Sequence, residues 1–339
     1  YWLLVSFGYL TLAMTALFSN ILTILILSPV LLVLIKQLKL PALPYLFTLV
    51  TMANLGGAMT PISDPTTYYQ AKTVGLSFAE VVSNSGLIVL VLSVVSLSYI
   101  LLVFRNQLNT AKVMPKDVAH FNPRSALQDR YILRVGLPMT ILSIILMISK
   151  ETIVEKTGVR LDNATITIGS AFLAILIFHK NPRDIFRNLI DWEIIFFFMG
   201  LFIVVGALEF THVIEMLAHW LVQVTNGNPT GLLFLISTGS GVLSTFIDNV
   251  PYNIAMVGAI QAMEKSGIWV YPLWWALNLG TSLGGAGSPI AAACNVIAFG
   301  QAEKEKIHTH FTEYLLKAFP LVIINSLVTF GLLWLRYLS

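Results

Sequence analysis

An eight-residue stretch occurs twice in this chain, as Leu55-Gly-Gly-Ala-Met-Thr-Pro-Ile62 and as Leu283-Gly-Gly-Ala-Gly-Ser-Pro-Ile290, with six of the eight positions identical. Each copy lies inside an apolar stretch where a membrane helix is expected. Two glycines and a proline do not continue a regular helix, so the reading is a broken helix at Gly56-Gly57 and another at Gly284-Gly285. Backbone amides and carbonyls freed from the helical ladder are tolerated in hydrocarbon only where they line a protein cavity. Paired, interrupted hydrophobic segments in two halves of a chain point to the substrate site of a secondary transporter.

The duplication extends beyond the octet. Thr15-Ala-Leu-Phe-Ser-Asn20 precedes the first copy as Ser244-Thr-Phe-Ile-Asp-Asn249 precedes the second, and Asn20 lies 36 residues before Gly56 while Asn249 lies 35 before Gly284. Two elements kept in order at nearly the same spacing mark an internal repeat. Each unit closes on a long apolar helix, at about 83 to 104 and 313 to 336, and three further spans of crossing length fall between, at about 131 to 149, 163 to 179 and 192 to 208. An odd number of crossings inverts the second unit relative to the first. The expected fold is therefore an all-α polytopic membrane protein of two inverted repeats, each with a re-entrant hairpin and a broken transmembrane helix. Residues 1–104 form the first repeat, 105–130 a cytoplasmic linker, and 131–339 a connecting helix plus the second repeat. The chain opens inside an apolar run, so the first repeat is expected to lack its leading part.

Composition excludes other classes. Of 339 residues 56% are hydrophobic and only 11% charged, against about 25% charged in a soluble domain, which argues against a soluble enzyme and leaves no catalytic residue to assign. The net charge of +3 is spread over short loops, so no nucleic-acid surface is expected. The single cysteine, Cys294, rules out an intrachain disulfide and a cysteine-built metal site. Twelve Lys and Arg fall on the side holding Lys36, Lys180 and the 105–130 loop, against six on the other. This places 105–130 and 180–191 in the cytoplasm of a multi-pass protein of the inner or plasma membrane. Residues 212–224 read as an amphipathic helix at the interface.

The segments around Asn20 and Asn249 read as re-entrant hairpins whose polar tips meet the two breaks; the alternative is a pair of kinked, continuous helices. Asp248 and Asn249 form the sharpest polar pair, matched in the first unit by Ser19 and Asn20. An ionisable group within a span is a functional hypothesis by default, although Asp248 also suits a cap for a helix opened by Pro251. Asp64 follows the first break beside Pro65, with the same two readings. Hydroxyls, a carboxylate and exposed carbonyls suit Na⁺, and amides at half-helix ends suit an anion. A Na⁺ position is expected near Asn20, Thr60, Asp248, Asn249 and Ser288. Gly280-Thr-Ser-Leu-Gly284 reads as a close helix-packing pattern.

Taken together, Asn54-Leu-Gly-Gly-Ala-Met-Thr-Pro-Ile-Ser-Asp-Pro65, Phe246-Ile-Asp-Asn-Val-Pro251, Leu273-Trp-Trp-Ala-Leu-Asn-Leu-Gly280, Leu283 to Ile290 with Asn295-Val296, and Asp191-Trp-Glu-Ile-Ile-Phe-Phe-Phe198 resemble the ion transporter superfamily. The branch is that of arsenite permeases, NhaD-type sodium/proton antiporters and the P protein, with a citrate-transporter-like domain. The resemblance spans nearly the whole chain. It implies an elevator-type carrier, usually a homodimer in the lipid bilayer, with no cofactor beyond Na⁺ or H⁺ as coupling ion. Asn20, Asp248 and Asn249 match its hairpin tips, and Gly56, Gly57, Thr60, Asp64, Gly284, Gly285, Ser288 and Asn295 its unwound helices, with Ser19 and Asn54 as further candidate binding residues beside them. Ser19 departs from the P-protein pattern, which has Asp there; Ser19-Asn20 is closer to the Ser-Asn-Thr tip of sodium-coupled carboxylate carriers, and Ile21 breaks that match. Three functions stay open: a permease for a small anion or oxyanion such as arsenite or a carboxylate, a sodium/proton antiporter, and a non-transporting membrane scaffold, in which duplicated broken helices have no role.

Overall fold

A computed structural model describes residues 1–110, 130–157, 163–178, 181–188, 190 and 192–339; the expectations for 111–129, for 179–180 and for 189 and 191 lie outside the described residues. Every described element of regular structure is a helix. In chain order these are α1 (Trp2–Leu17), α2 (Asn20–Gln37), α3 (Ala42–Gly57), α4 (Pro65–Val74), α5 (Phe78–Val103, with a π turn at Val82–Gly86), α6 (Arg105–Thr110), α7 (Arg130–Thr157), α8 (Asn163–Ile177), α9 (Pro182–Asn188), α10 (Trp192–Phe210), α11 (Val213–Thr225), α12 (Pro229–Phe246), α13 (Asn249–Lys265), α14 (Tyr271–Gly285), α15 (Ala293–Lys304) and α16 (Phe311–Tyr337).

The helices divide into two compact units, Tyr1–Val113 with Ile203–Ser339, and Met114–Phe202. The second unit pairs α7 with α8 through a Ser143–Ser170 hydroxyl bond of 2.7 Å and an edge-on contact of Tyr131 with Phe178. The first unit brings the two end portions of the chain together.

Local chemistry sets the helix ends. Asp64 and Asn228 cap α4 and α12 with proline next in line, because proline's missing N–H costs nothing in the first turn and its fixed φ suits helix entry. Ser77 and Glu80 form a reciprocal capping box at the start of α5. Gly75 closes α4 at φ +82°, a left-handed conformation that glycine adopts without strain.

Two helices form the centre of the first unit. In α3 every residue from Leu43 to Gly57 is buried, and in α14 every residue from Pro272 to Gly285. A helix buried all round needs close partners, and α3 packs on α1 while α14 packs on α12. The outer helices turn apolar side chains outward: Leu25, Ile26, Val30 and Val33 of α2, Leu90, Val91 and Val94 of α5, and Leu316, Leu327 and Leu335 of α16 are exposed. Such surfaces suit hydrocarbon and not water. By length and composition α2, α5, α12 and α16 can each cross a bilayer, so α2 and α12 are long enough to span alone as well as to serve as hairpin arms. The helix expected at 212–224 is present as α11, with Ile214, Ala218 and Leu221 buried and Met216, His219 and Trp220 exposed.

The two central helices end at the glycine pairs, where the sequence places the breaks. Gly56-Gly57 and Gly284-Gly285 are the last helical residues of α3 and α14, and the unwound segments begin after them, at Ala58 and Ala286. The glycines are there for approach. A Cβ on Gly56 would stand 2.7 Å from Thr15 Cβ and 2.9 Å from Leu12 O, and one on Gly284 would stand 2.6 Å from both Gly241 O and Ser244 Cβ. Gly280 meets Ser237 O at 2.8 Å in the same way. The missing side chains let α1 and α12 lie directly against the two central helices.

Candidate functional site

The first unwound segment, Ala58–Asp64, is held by its own polar side chains. Thr60 Oγ1 donates to Ala16 O at 2.8 Å, just before the turn that joins α1 to α2. Ser63 Oγ lies 2.8 Å from Gly57 O and 2.7 Å from Thr60 O, and Thr67 Oγ1 lies 2.9 Å from Gly57 O. At the start of α2 the Asn20 backbone N–H donates to Ser63 O at 2.8 Å, and the Asn20 amide donates to Asp64 Oδ2. Asp64, almost fully buried, uses its other oxygen to cap α4, accepting from the Thr66 N–H at 2.8 Å and from Thr66 Oγ1 at 2.6 Å.

The second unwound segment, Gly287–Ala292 after the Ala286 cap, is fastened at matching positions. Ser288 Oγ donates to Thr245 O at 2.8 Å, and the Asn249 N–H donates to Ala291 O at 3.0 Å. Asn295 Nδ2 donates to Gly285 O at 2.6 Å and to Ser288 O at 2.8 Å. Three of these bonds have counterparts in the first segment between residues 228 or 229 positions earlier: Thr60 to Ala16, Asn20 to Ser63, Thr67 to Gly57.

The tips carry Ser19 and Asp248, and both act as helix caps. Ser19 Oγ accepts from the Leu22 N–H at 3.1 Å, and Asp248 Oδ1 accepts from the Val250 N–H at 2.9 Å. The helix that Asp248 caps starts at Asn249 and not at Pro251. The capping readings of Asp64 and Asp248 therefore hold, but the two acids differ in what remains. Both Asp64 oxygens are engaged. Among the described residues Asp248 accepts one bond, through Oδ1, and its half-buried side chain keeps Oδ2 for another partner.

Side chains from one half reach the break of the other. Asn54 of α3 donates to Asn295 Oδ1 at 2.9 Å. Thr67 of α4 lies 2.8 Å from Asn278 Oδ1 in α14, and Asn278 Nδ2 donates to Ala58 O at 3.1 Å. A Cβ on Gly285 would meet Asn54 Oδ1 at 2.6 Å and Asn249 Nδ2 at 3.1 Å, so both amides crowd the face of that glycine. Asn54 Oδ1 is buried and, among the described residues, has no hydrogen-bond partner. A buried acceptor left alone costs about 1–3 kcal/mol, which makes it a ready ligand for a cation or water.

All thirteen residues singled out in the sequence thus lie at the tips, in the breaks or at their edges. Gly56 and Gly284 face packing partners. Thr60, Ser288, Asn295 and Asp64 are occupied in holding loops, while Asp248, Asn249, Ser19 and Asn54 Oδ1 retain capacity toward a ligand. Sequence reasoning passed over Ser63, Thr67, Asn278, Ser85 and Tyr314; Tyr314 OH donates to Ala286 O at 2.7 Å. A polar residue within the apolar run 271–285 was the available signal for Asn278. Among the described residues no cluster of three His, Cys, Asp or Glu occurs, so a cation at this site would be met by hydroxyl, amide and backbone oxygens with a single carboxylate or two.

An all-helical chain with lipid-facing apolar surfaces and unwound polar segments buried in its interior has the build of a polytopic membrane transporter. The chain belongs to the citrate transporter family, whose model matches residues 1–280. A 46 kDa membrane protein of Mycobacterium leprae (strain TN) is 30% identical over 327 residues, covering 96% of this chain and 75% of that protein. An uncharacterized transporter of Mycobacterium tuberculosis (strain CDC 1551 / Oshkosh) is 28% identical over 327 residues, 95% of this chain and 74% of its own length. The P protein of Sus scrofa is 27% identical over 179 residues, 50% of this chain and 21% of that protein. The chain is a membrane transporter.

Proposed function

We propose that this transporter is an elevator-type secondary carrier for a small anion or oxyanion such as a carboxylate or arsenite, coupled to Na⁺ or H⁺. The observation that carries the reading is the meeting of two unwound segments with two helix tips in one buried polar region, tied across the halves by Asn54–Asn295 and Thr67–Asn278. Free amide groups and helix N-termini favour an anion, and Asp248 supplies the charge for a coupling cation or proton. In this reading the two halves are inverted repeats, α1–α2 and α12–α13 are re-entrant hairpins, and the protein works as a homodimer. A sodium/proton antiporter is the second reading, favoured by the two carboxylates of the region, Asp64 at the first break and Asp248 at the second tip. Proteoliposomes challenged with citrate, sulfate or arsenite under imposed Na⁺ or pH gradients separate the two. Gradient-driven anion uptake supports the first; Na⁺-for-H⁺ exchange with no anion flux replaces it with the second.

The orientation has its own test. With 105–130 cytoplasmic, a cysteine introduced at Thr110 on a Cys294→Ser background resists a membrane-impermeant maleimide in intact cells and reacts after permeabilisation. Labelling from outside reverses the assignment. Native Cys294 is buried, so background reaction is low even without the serine.

A further inference from the structure

Three polar contacts meet at one buried amide, Asn278, that belongs to neither unwound segment. Its Nδ2 donates to Ala58 O at 3.1 Å and to Ser85 Oγ at 3.0 Å, and Thr67 Oγ1 lies 2.8 Å from its Oδ1. Asn278 is 1% exposed. Through it, the first residue past α3, the first turn of α4 and the π turn of α5 share one side chain. At the second break, Ala286 O, at the position matching Ala58, accepts instead from Tyr314 OH at 2.7 Å.

The π turn explains how Ser85 reaches that amide. A π turn carries one more residue than an α turn, so it rotates the rest of the helix by about 100° relative to an uninterrupted one. Residues Val82–Gly86 take this form within the apolar span Phe78–Val103. Two of its other polar groups are held from α16: Arg336 Nη1 donates to Ser83 O at 3.0 Å, and Tyr337 OH bonds Asn84 Oδ1, while Asn84 Nδ2 donates to Glu80 O at 2.8 Å within α5 itself. A bonded series therefore runs from the end of α16 through the π turn and Asn278 to the first break.

We propose that Asn278, anchored by Ser85, is a positioning residue that fixes the unwound shape of Ala58–Asp64 and leaves the second break untouched. The inference deepens the reading of the breaks as the transport site and rests on it for its functional meaning. Its structural content is testable without any transported ion, so a failed transport assay and a failed brace are told apart.

The experiment is hydrogen exchange read by mass spectrometry on the full chain in lipid nanodiscs. Asn278→Ala raises exchange across 58–67 by about tenfold, the scale of losing buried hydrogen bonds, while 286–295 keeps its wild-type rate as an internal control. Thr67→Val raises exchange in the same peptide; Thr67→Ser, which keeps the hydroxyl, restores the wild-type rate. Should Asn278→Ala fail to fold, Ser85→Ala serves, with a smaller increase at 58–67 only. Equal acceleration at both breaks, or none at 58–67, overturns the proposal.

Discussion

Asp248→Asn is expected to abolish the response of transport to its coupling gradient while leaving the fold intact. Asparagine caps helices about as well as aspartate, so the bond from the Val250 N–H survives and thermal stability should change by less than about 0.5 kcal/mol. What disappears is the charge. An interaction with an ionised group is worth roughly 1.5–3 kcal/mol, so apparent affinity for the coupling ion should fall by about 10- to 100-fold, and dependence on pH or Na⁺ should flatten. Flux in proteoliposomes as a function of Na⁺ and pH measures this directly. Ser19→Ala removes a neutral hydroxyl at the matching tip and should cost only about 1 kcal/mol. If Asp248→Asn keeps the wild-type ion dependence, its carboxylate is a cap alone, and attention moves to Asp64.

The second large effect concerns packing. Gly284→Ala is expected to destabilise the protein although alanine is the better helix former. The intrinsic gain is about 1 kcal/mol. Against it, the new methyl would sit 2.6 Å from Gly241 O and 3.0 Å from Ser244 C, and backbone cannot step aside as a side-chain end can, so α12 must separate from α14. Overpacking of this kind costs typically about 1–3 kcal/mol, and the net sign is destabilising. Gly300→Ala is the control: nothing lies within 4 Å of its Cβ position in α15, so the helix-propensity gain stands alone and stability should rise. Thermal unfolding of both variants in one detergent decides the matter. A Gly284→Ala protein as stable as wild type would mean that the two helices separate at no cost.

The sequence made the unwound segments visible but not the packing role of the glycines beside them. Prolines 61 and 289 and the recurrence of the octet located the breaks to within a few residues. The glycines read as the breakers because glycine is a poor helix former. The structure ends both helices at these pairs and also uses the absent side chains of Gly56 and Gly284 against Leu12, Thr15, Gly241 and Ser244. Propensity belongs to the residue, whereas the need for close approach belongs to the neighbour, and the neighbour lies about forty residues away along the chain.

What the sequence determined by itself is what depends on local composition and periodicity: helices of membrane length, caps at Asp64 and Asp248, and unwound segments beside residues 57 and 285. What only the tertiary structure decided is how the polar groups are spent. Thr60 and Ser288 read as ion ligands, yet each hydroxyl goes to a carbonyl of a neighbouring helix end, because an unwound backbone buried in an apolar interior must satisfy its polar groups before any ligand arrives. The bonds of Asn54 to Asn295 and of Asn278 to Ala58 and Ser85 join residues about 190 to 240 positions apart. No local pattern encodes such pairs. They exist because α3 and α14 are buried on every side, so a polar side chain on either must find its partner on whichever helix packs against it.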